Sequence, residues 1–291
     1  MTSNPVHFYN YAVGFVDLLG QQDEYRDQNL LPDFDSPQAE EAFGRKVWNT
    51  IGAIDSLQKD CRTFLDAAFR HKSPDRERLP EELQVIFDQM RISALKTQMW
   101  SDGVVYFSSL GDTDVKVPAN ALFNMIAALG SLCFVGLTKK HPMRGGLEVA
   151  WGVELEPGNL YGCAVAKAYE LESKIAQYPR IVVGPYYMQC LRTYSRNTGE
   201  DVFAMLNKTF ADTCLSMLIQ DVDGRDIVHY LGDAYQRHIG TRIHQTLYDR
   251  ALGFIHASLG RFRSEKNEKL VVRYMQLLNY FEKYQPKKIS Q

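Results

Sequence analysis

Runs of apolar residues along the chain follow two different periods, and the shorter runs predict strands. Residues 10–19 are mostly apolar, with β-branched and aromatic members, which is typical of a buried strand. The segments "SALKTQMW" and "VVYFSS" predict two more strands around "SDG" at residues 101–103, since Asp-Gly is a favoured hairpin pair. The segments "MRGGLEVAWGVEL" and "RIVVG" predict further strands, and residues 212–232 predict a second hairpin around Asp223-Gly224.

Longer segments carry apolar residues at spacings of three and four, the period of an amphipathic helix. This pattern predicts one helix at about 38–71, a second that begins near Pro118, and a third over "CAVAKAYELESKIAQ". Two C-terminal helices are predicted at about 237–261 and 266–284. Strands and helices in this order predict an α+β fold in which helices pack on one sheet.

Composition and charge narrow the class of protein. The 291 residues are 45% hydrophobic and 23% charged with a net charge of −2, which is typical of a globular chain. The chain has no basic block of the kind that binds nucleic acid irrespective of sequence. Its N-terminus lacks the pattern of a signal peptide. The apolar stretch after Pro118 is borderline in length and contains an Asn, which favours a buried helix over a membrane span. Five scattered cysteines favour the reducing cytoplasm.

An acid interrupts the first predicted strand. Asp17 lies in "FVDLLGQ", and an ionised carboxylate in a core is costly unless it is paired or binds a metal. A strand-end or turn position is the simpler alternative for Asp17, as a hairpin turn is for Asp102. If the first strand lies beside the 95–109 hairpin, both carboxylates converge at one sheet edge. Such a pair predicts two Mg²⁺ or Mn²⁺ ions, which take oxygen ligands and serve phosphoryl or nucleotidyl transfer.

Four sequence blocks, in order, resemble the class III nucleotidyl cyclase family. "FVDLLG" resembles that family's first metal-binding strand, and "SDGVVYF" resembles its second motif, a Gly-Asp-Gly followed by two apolar residues and an aromatic. "RGGLEVAWG" is similar to the strand that carries the family's Arg-x-Gly pattern. "GCAVAKAYELESKIAQYPRIVVG" resembles its Gly-x-x-Val-Asn-x-Ala-x-Arg-Leu-Glu helix and the strand after it. The blocks span residues 12–184, more than half of the chain.

The resemblance implies a fold and a domain organisation. The fold would be α+β, with the ferredoxin-like or palm-type antiparallel sheet of a class III cyclase and helices packed on it. A catalytic domain would occupy residues 1–235, with a helical insertion at about 23–90. Residues 236–291 would form a C-terminal helical extension.

The chain departs from the family at two positions that bear on catalysis. The family's Asn and Arg in the last block fall on Ala166 and Glu170. Because that Arg stabilises charge on the transferring phosphate, its loss either removes catalysis or moves the role to another cation. Arg144 is the first candidate, since a guanidinium holds two phosphate oxygens at once, although it could simply cap the preceding turn. The other candidates are Lys139, Lys140 and Lys167.

Two further departures bear on the substrate. The family's purine-reading Lys and Asp fall on Gln98 and Asn159, so two amides replace a charged donor and acceptor. A pocket that hydrogen-bonds one base edge discriminates against another, so this change predicts a different base. Trp100 and Tyr169 are candidates for substrate binding or, alternatively, for the core. These departures resemble the stand-alone cyclases of bacterial Pycsar anti-phage systems, which make cyclic pyrimidine monophosphates.

The implied activity is conversion of UTP or CTP to the 3′,5′-cyclic monophosphate and pyrophosphate. Asp17, Asp102 and the backbone carbonyl of Leu18 would hold two Mg²⁺ or Mn²⁺ ions, and Arg144 would act on the phosphate. The resemblance also implies a cytoplasmic homodimer with its sites between protomers, and a separate effector that responds to the product. Three alternatives stay open: a purine cyclase, a degenerate cyclase fold that binds nucleotide without turnover, and a polymerase-like or GGDEF-like palm protein.

Overall fold

The computed structural model covers most of the chain. It describes residues 8–19, 34–70, 77, 79–92, 95–111, 114–240 and 243–286. The predicted start of the insertion, at residue 23, and Gly20, the last residue of the first block, lie outside the described residues.

Eight strands, nine α-helices and one π-helical turn occur in the described part of the chain. The strands are β1 (Tyr9–Leu18), β2 (Lys96–Trp100), β3 (Gly103–Ser109), β4 (Met143–Glu156), β5 (Asn159–Tyr161), β6 (Ile181–Val183), β7 (Leu218–Gln220) and β8 (Asp226–Val228). The helices are α1 (Pro37–Arg70), α2 (Glu81–Ile92), α3 (Pro118–Thr138), α4 (Cys163–Glu170), α5 (Pro185–Ser195), α6 (Val202–Ser216), α7 (Asp233–His238), α8 (Gln245–Ser264) and α9 (Glu268–Lys283). The π-helical turn, Leu171–Ala176, continues α4.

The strands form one sheet in the order β2-β3-β1-β4-β6-β8-β7, and β5 pairs with the far end of β4. Neighbouring strands are antiparallel except for β4 and β6, which are parallel. The connection from β4 to β6 passes through α4 and the π-helical turn, as a parallel pair requires a long crossover. The predicted α+β fold is therefore confirmed, whereas the sheet is mixed rather than antiparallel throughout.

The two faces of the sheet carry separate apolar cores. On β1, Val16 and Leu18 lie in the larger core, which includes α3. Val13 and Phe15 lie in a smaller core, which includes α4. Because successive side chains of a strand point to opposite faces, Asp17 continues the row of Val13 and Phe15. The acid thus stands at the end of an apolar row, on the α4 face of the sheet.

Helix α3 runs through the larger core. It has the length and apolar composition of a membrane span, but most of it is buried inside the protein. The strands β1 and β4 and the helices α6 and α8 pack against it. The prediction of a buried helix after Pro118 is confirmed.

Element boundaries in the C-terminal third differ from those predicted. Residues 212–216 end helix α6 rather than begin a strand, and the hairpin at Asp223 consists only of β7 and β8. The helix predicted at about 237–261 begins later, because the short α7 and Gly240, at a left-handed φ of 68°, come before α8. The predicted domain boundary after residue 235 stays a prediction, and it falls within α7.

Candidate active site

Asp17 lies between two partner strands at the end of β1. Its directly paired residues are Gly103 on β3 and Arg144 on β4. Paired residues of neighbouring strands point to the same face, so the Arg144 side chain emerges beside the Asp17 carboxyl group. Gly103 has no side chain, and a Cβ atom added there would lie 3.2 Å from the ring of Phe15.

The turn between β2 and β3 places Asp102 next to the end of β1. Strand pairing begins at Gly103, so Ser101 and Asp102 are the loop residues, and Ser101 has a left-handed φ of 47°. The predicted Asp-Gly turn is therefore wrong by one residue, because Gly103 already belongs to β3. The backbone N–H of Leu18 donates to the carbonyl oxygen of Asp102 at 3.4 Å, which ties the turn to β1.

A third carboxylate, Glu172, lies at this site and was not among the predicted residues. It belongs to the π-helical turn, is 1% exposed, and accepts a hydrogen bond from Nε of Arg144 in an ion pair. The sequence does hold a signal for it. Glu172 follows the buried Ala168 by four residues and the buried Val165 by seven, so a helical period puts it on the buried face. An acid in that position requires a partner, which Arg144 provides.

The close approach of the π-helical turn to β4 depends on Gly146. A Cβ atom added to Gly146 would lie 2.6 Å from the carbonyl oxygen of Ala168 and 2.9 Å from the backbone nitrogen of Glu172. Both neighbours are backbone atoms, so neither can rotate away. Glycine at this position therefore lets Glu172 reach the sheet.

Gly146→Ala is expected to lower the free energy of unfolding by about 2–3 kcal/mol, because the helix and the strand must separate. Urea unfolding followed by circular dichroism measures this change. Gly253→Ala in α8 is the matched control, since an added Cβ atom there meets no heavy atom within 4 Å. The control is expected to gain roughly 0.5–1 kcal/mol. Equal effects of the two substitutions would contradict the packing.

The three carboxylates and the arginine interact in a half-buried space. Burial raises the pKa of Asp17 to about 7; the charges of Glu172 and Asp102 also raise this pKa, and that of Arg144 lowers it. Burial raises the pKa of Glu172 as well, against the lowering effect of Arg144. Three acids beside one paired arginine leave an excess of negative charge at this sheet edge.

The donor atoms at this edge suit a hard divalent cation. Asp17 and Asp102 carry carboxylate oxygens. The Leu18 side chain is apolar and buried in the larger core, so only the backbone carbonyl of Leu18 could serve as a ligand. Oxygen ligands are what Mg²⁺ and Mn²⁺ prefer, and positive charge here would offset the repulsion acting on Asp17. Among the described residues, no group of three or more His, Cys, Asp or Glu side chains is arranged to hold a metal. The assignment therefore depends on the two aspartates.

The predicted base-reading residues lie on β2 and at the start of β5, where the β4–β5 hairpin contacts β2. Oε1 of Gln98 accepts a hydrogen bond from the backbone N–H of Leu160 at 3.0 Å, and Leu160 directly follows Asn159. Nζ of Lys96 forms an ion pair with Glu154 at 2.8 Å, which also joins β2 to the hairpin. The first contact places the Gln98 side chain against the residue that follows Asn159, although Gln98 and Asn159 are far apart in sequence.

Trp100 and Tyr169 flank the ring of Phe15, two residues before Asp17. The ring centroid of Phe15 lies 6.0 Å from that of Trp100 and 5.3 Å from that of Tyr169. Trp100 is 42% exposed and Tyr169 is 51% exposed. These exposures exclude the core alternative for both residues and leave an open aromatic surface beside the acids.

Among the four candidate cations, Arg144 is the one that contacts the acids. Lys139 pairs with an aspartate of α1 at 2.6 Å, and Lys167 pairs with a glutamate of its own helix at 2.9 Å. Lys140 is an exposed residue just after α3, at a left-handed φ of 64°. Because Arg144 and Asp17 are paired within one chain, a second protomer is not needed to bring them together.

Comparisons with known proteins give little sequence similarity. No protein-family model matches the chain, and no curated protein is significantly similar to it. One similar solved structure is the crystal structure of the adenylyl cyclase CyaB from P. aeruginosa. It shares 11% sequence identity with this chain at a TM-score of 0.42, over 65% of this chain and 84% of its own.

Proposed function

We propose that this protein is a nucleotidyl cyclase, which converts a nucleoside triphosphate to a 3′,5′-cyclic monophosphate and pyrophosphate. The observation that carries this proposal is the convergence of Asp17 and Asp102 at one sheet edge beside Arg144. In the reaction the ribose 3′-hydroxyl loses its proton to solvent water and its oxygen attacks the α-phosphorus. The bond to the bridging oxygen breaks, and the β- and γ-phosphates leave as pyrophosphate.

The residues of the proposed site have different roles in metal binding and phosphate binding. Asp17 and Asp102, with the carbonyl of Leu18, would hold two Mg²⁺ or Mn²⁺ ions, which supply positive charge to the attacking and leaving oxygens when bound. Arg144 donates hydrogen bonds to the phosphate oxygens, in place of the arginine that Glu170 replaces.

We propose UTP or CTP as the substrate. Gln98 and Asn159 would contact the base edge with uncharged amides, and the half-exposed rings of Trp100 and Tyr169 offer surfaces on which a base can stack. A cyclic pyrimidine nucleotide would then act as a signal, read by a separate effector in anti-phage defence. The supports for this finer proposal are the two amides and the resemblance to the pyrimidine cyclases.

In the decisive experiment, the purified protein is incubated with Mn²⁺ and each of the four NTPs in turn. The products are identified by mass spectrometry. Cyclic UMP or cyclic CMP is the expected product, formed faster than cyclic AMP or cyclic GMP. Faster cyclisation of a purine would reject the pyrimidine preference and leave the cyclase proposal in place. No cyclic product from any of the four would reject turnover.

A nucleotide-binding protein without turnover is the second candidate. The observation that favours it is the ion pair of Arg144 with Glu172, which already occupies the guanidinium. Glu170, at the position of the family's arginine, pairs instead with the exposed Lys167 of α4 and the exposed Lys174 of the π-helical turn. For this candidate the same experiment would give nucleotide binding without product.

We propose a cytoplasmic homodimer in which one protomer supplies Asp17 and Arg144 and the other supplies Gln98. Static light scattering is expected to give twice the mass of the chain. Mixing equal amounts of Asp17→Ala and Gln98→Ala proteins is expected to restore about a quarter of the wild-type rate, since half of the dimers gain one intact cleft. Mixing Asp17→Ala with Arg144→Ala is the control and should restore nothing. A fully active monomer would contradict the assembly.

A further inference from the structure

Arg180 is a buried arginine whose five N–H groups all have acceptors. It lies just before β6 and is 3% exposed. Its Nε donates to the carbonyl oxygen of Ala176 at 2.9 Å, and a terminal nitrogen donates to that of Ile175 at 2.9 Å. The remaining N–H groups donate to the carboxylates of Asp221 and Asp223, in the turn between β7 and β8. A guanidinium satisfied by this many acceptors is held in one position.

The two carbonyl groups that Arg180 binds end the π-helical turn, Leu171–Ala176. The last carbonyl groups of a helix usually have no N–H partner within it, and a basic side chain can take that place. The helical conformation stops at the next residue, Gln177, which has a left-handed φ of 54°. The side chain of Arg180 therefore fixes the end of the turn that carries Glu172.

The backbone of Arg180 binds the strand that carries Arg144. Its carbonyl oxygen accepts a hydrogen bond at 3.0 Å from the N–H of Gly145, the residue after Arg144. The residue after Arg180, Ile181, is the first of β6 to pair with β4. Arg180 thus contacts one strand through its backbone and the π-helical turn through its side chain. These two elements carry the two members of the ion pair between Arg144 and Glu172.

The acids that hold Arg180 are themselves fixed by the hairpin turn. The carboxylate of Asp221 accepts a hydrogen bond from the backbone N–H of Val222 at 2.8 Å. That of Asp223 accepts one from the N–H of Arg225 at 3.2 Å. A buried arginine is costly to leave unpaired, so the hairpin and the end of the π-helical turn are held together by its charge.

We infer that Arg180 is a positioning residue for the ion pair of Glu172 and Arg144. Asp221 and Asp223 hold Arg180 in that role, although neither is hydrogen-bonded to Arg144 in the described part of the chain. A buried ion pair stabilises the fold only while its geometry is kept, so the strand and the turn must stay in register. The inference rests on the proposed function for what Arg144 does, but not for the coupling between the hairpin and the ion pair.

Asp223→Asn tests this role in the reaction, since Asp223 is 39% exposed and the amide can still accept a hydrogen bond. We expect kcat to fall about tenfold with KM for the NTP little changed, because a displaced Arg144 loses contact with charge that develops in the transition state. In an Arg144→Ala background the same substitution should cost no further activity, since no guanidinium is left to position. Asp226→Asn, on β8 of the same hairpin, is the matched control and should leave kcat unchanged.

A second measurement does not need turnover. Arg144→Ala is expected to lower the melting temperature of the wild type, because Glu172 is left buried without its partner. In the Asp223→Asn background the loosened turn lets Glu172 move toward water, so Arg144→Ala should lower the melting temperature by about half as much or less. Residues that act independently would give equal shifts in the two backgrounds.

The outcomes separate this inference from the proposed function. Equal melting shifts in the two backgrounds would overturn the positioning role even if the enzyme turns over, as would a further tenfold loss of kcat when Asp223→Asn is added to Arg144→Ala. Unequal melting shifts support the role even if no NTP is cyclised. If circular dichroism shows Asp223→Asn to be unfolded, Asp223→Glu replaces it, because this variant keeps the charge on a longer side chain. The same pattern is then expected with smaller changes.

Discussion

Asp17→Asn is expected to reduce turnover at least about a thousandfold while making the folded protein more stable at pH 8. Turnover falls because an amide is a much weaker metal ligand than a carboxylate, so the charge of the triphosphate is not compensated. Stability rises because the substitution removes a carboxylate whose ionisation is disfavoured in the fold. Pyrophosphate release with Mn²⁺ measures the first effect, and thermal melting in EDTA measures the second.

The pH dependence of this gain follows from the raised pKa of Asp17. Its ordinary value is 3.8 and its value in the fold is about 7, so between these limits the folded state holds a proton that the unfolded chain has lost. The contribution of Asp17 to stability is therefore present below pH 4 and is lost as the pH rises to about 7. One pKa unit corresponds to about 1.4 kcal/mol, so after allowance for relaxation the gain in Asp17→Asn is roughly 1–3 kcal/mol at pH 8.

The matched control for Asp17→Asn is Asp249→Asn, an exposed aspartate of α8. It is expected to leave both turnover and melting unchanged at every pH. An Asp17→Asn protein that melts at a lower temperature than the wild type at pH 8 would show that the ionised carboxylate stabilises the fold. Burial and repulsion by the neighbouring acids would then not be the dominant effects on Asp17. Retention of most of the wild-type rate would remove Asp17 from the site.

Arg144→Ala is expected to lose about a hundredfold in turnover, the scale seen when one preorganised donor to developing charge is removed. It is also expected to lose roughly 2–4 kcal/mol of stability, because Glu172 is left buried without its partner. Initial rates at saturating NTP and urea unfolding measure the two losses.

Two further variants separate the roles of this pair. Arg144→Lys keeps the charge but cannot bind both Glu172 and a phosphate in the planar geometry of a guanidinium, so it should recover stability more than rate. In the double variant Arg144→Ala with Glu172→Gln, the uncompensated charge is gone, and stability should return without turnover. If the double variant regained the wild-type rate, Arg144 would have no part in the reaction.

The sequence predicted the site best where an acid stands at the end of an apolar strand, because few structural roles explain such an acid. Asp17 interrupts an apolar strand, and Asp102 follows another, so the convergence of their strands could be predicted and is found. The apolar run over residues 10–19 also predicted a buried strand, and β1 does have a core on each of its faces.

The features that were missed depend on tertiary contacts. Glu172 looks like an ordinary helix residue until the π-helical turn and Gly146 bring it to Arg144. The turn at Ser101 shifted by one residue because strand pairing, rather than the preference of Asp-Gly, set its register.

The fold of the β4–β5 hairpin has a consequence for the polarity of the two amides. Oε1 of Gln98 accepts a hydrogen bond from the backbone N–H of Leu160, so in the proposed site Gln98 would present its amide N–H groups to a base. Nδ2 of Asn159 donates to Glu156 at 3.4 Å, which leaves the amide oxygen of Asn159 as an acceptor. An amide side chain can donate or accept a hydrogen bond. These contacts would make Gln98 a donor and Asn159 an acceptor in the proposed site. In the proposed site, the hairpin would thus orient two neutral side chains without the cost of burying a charge.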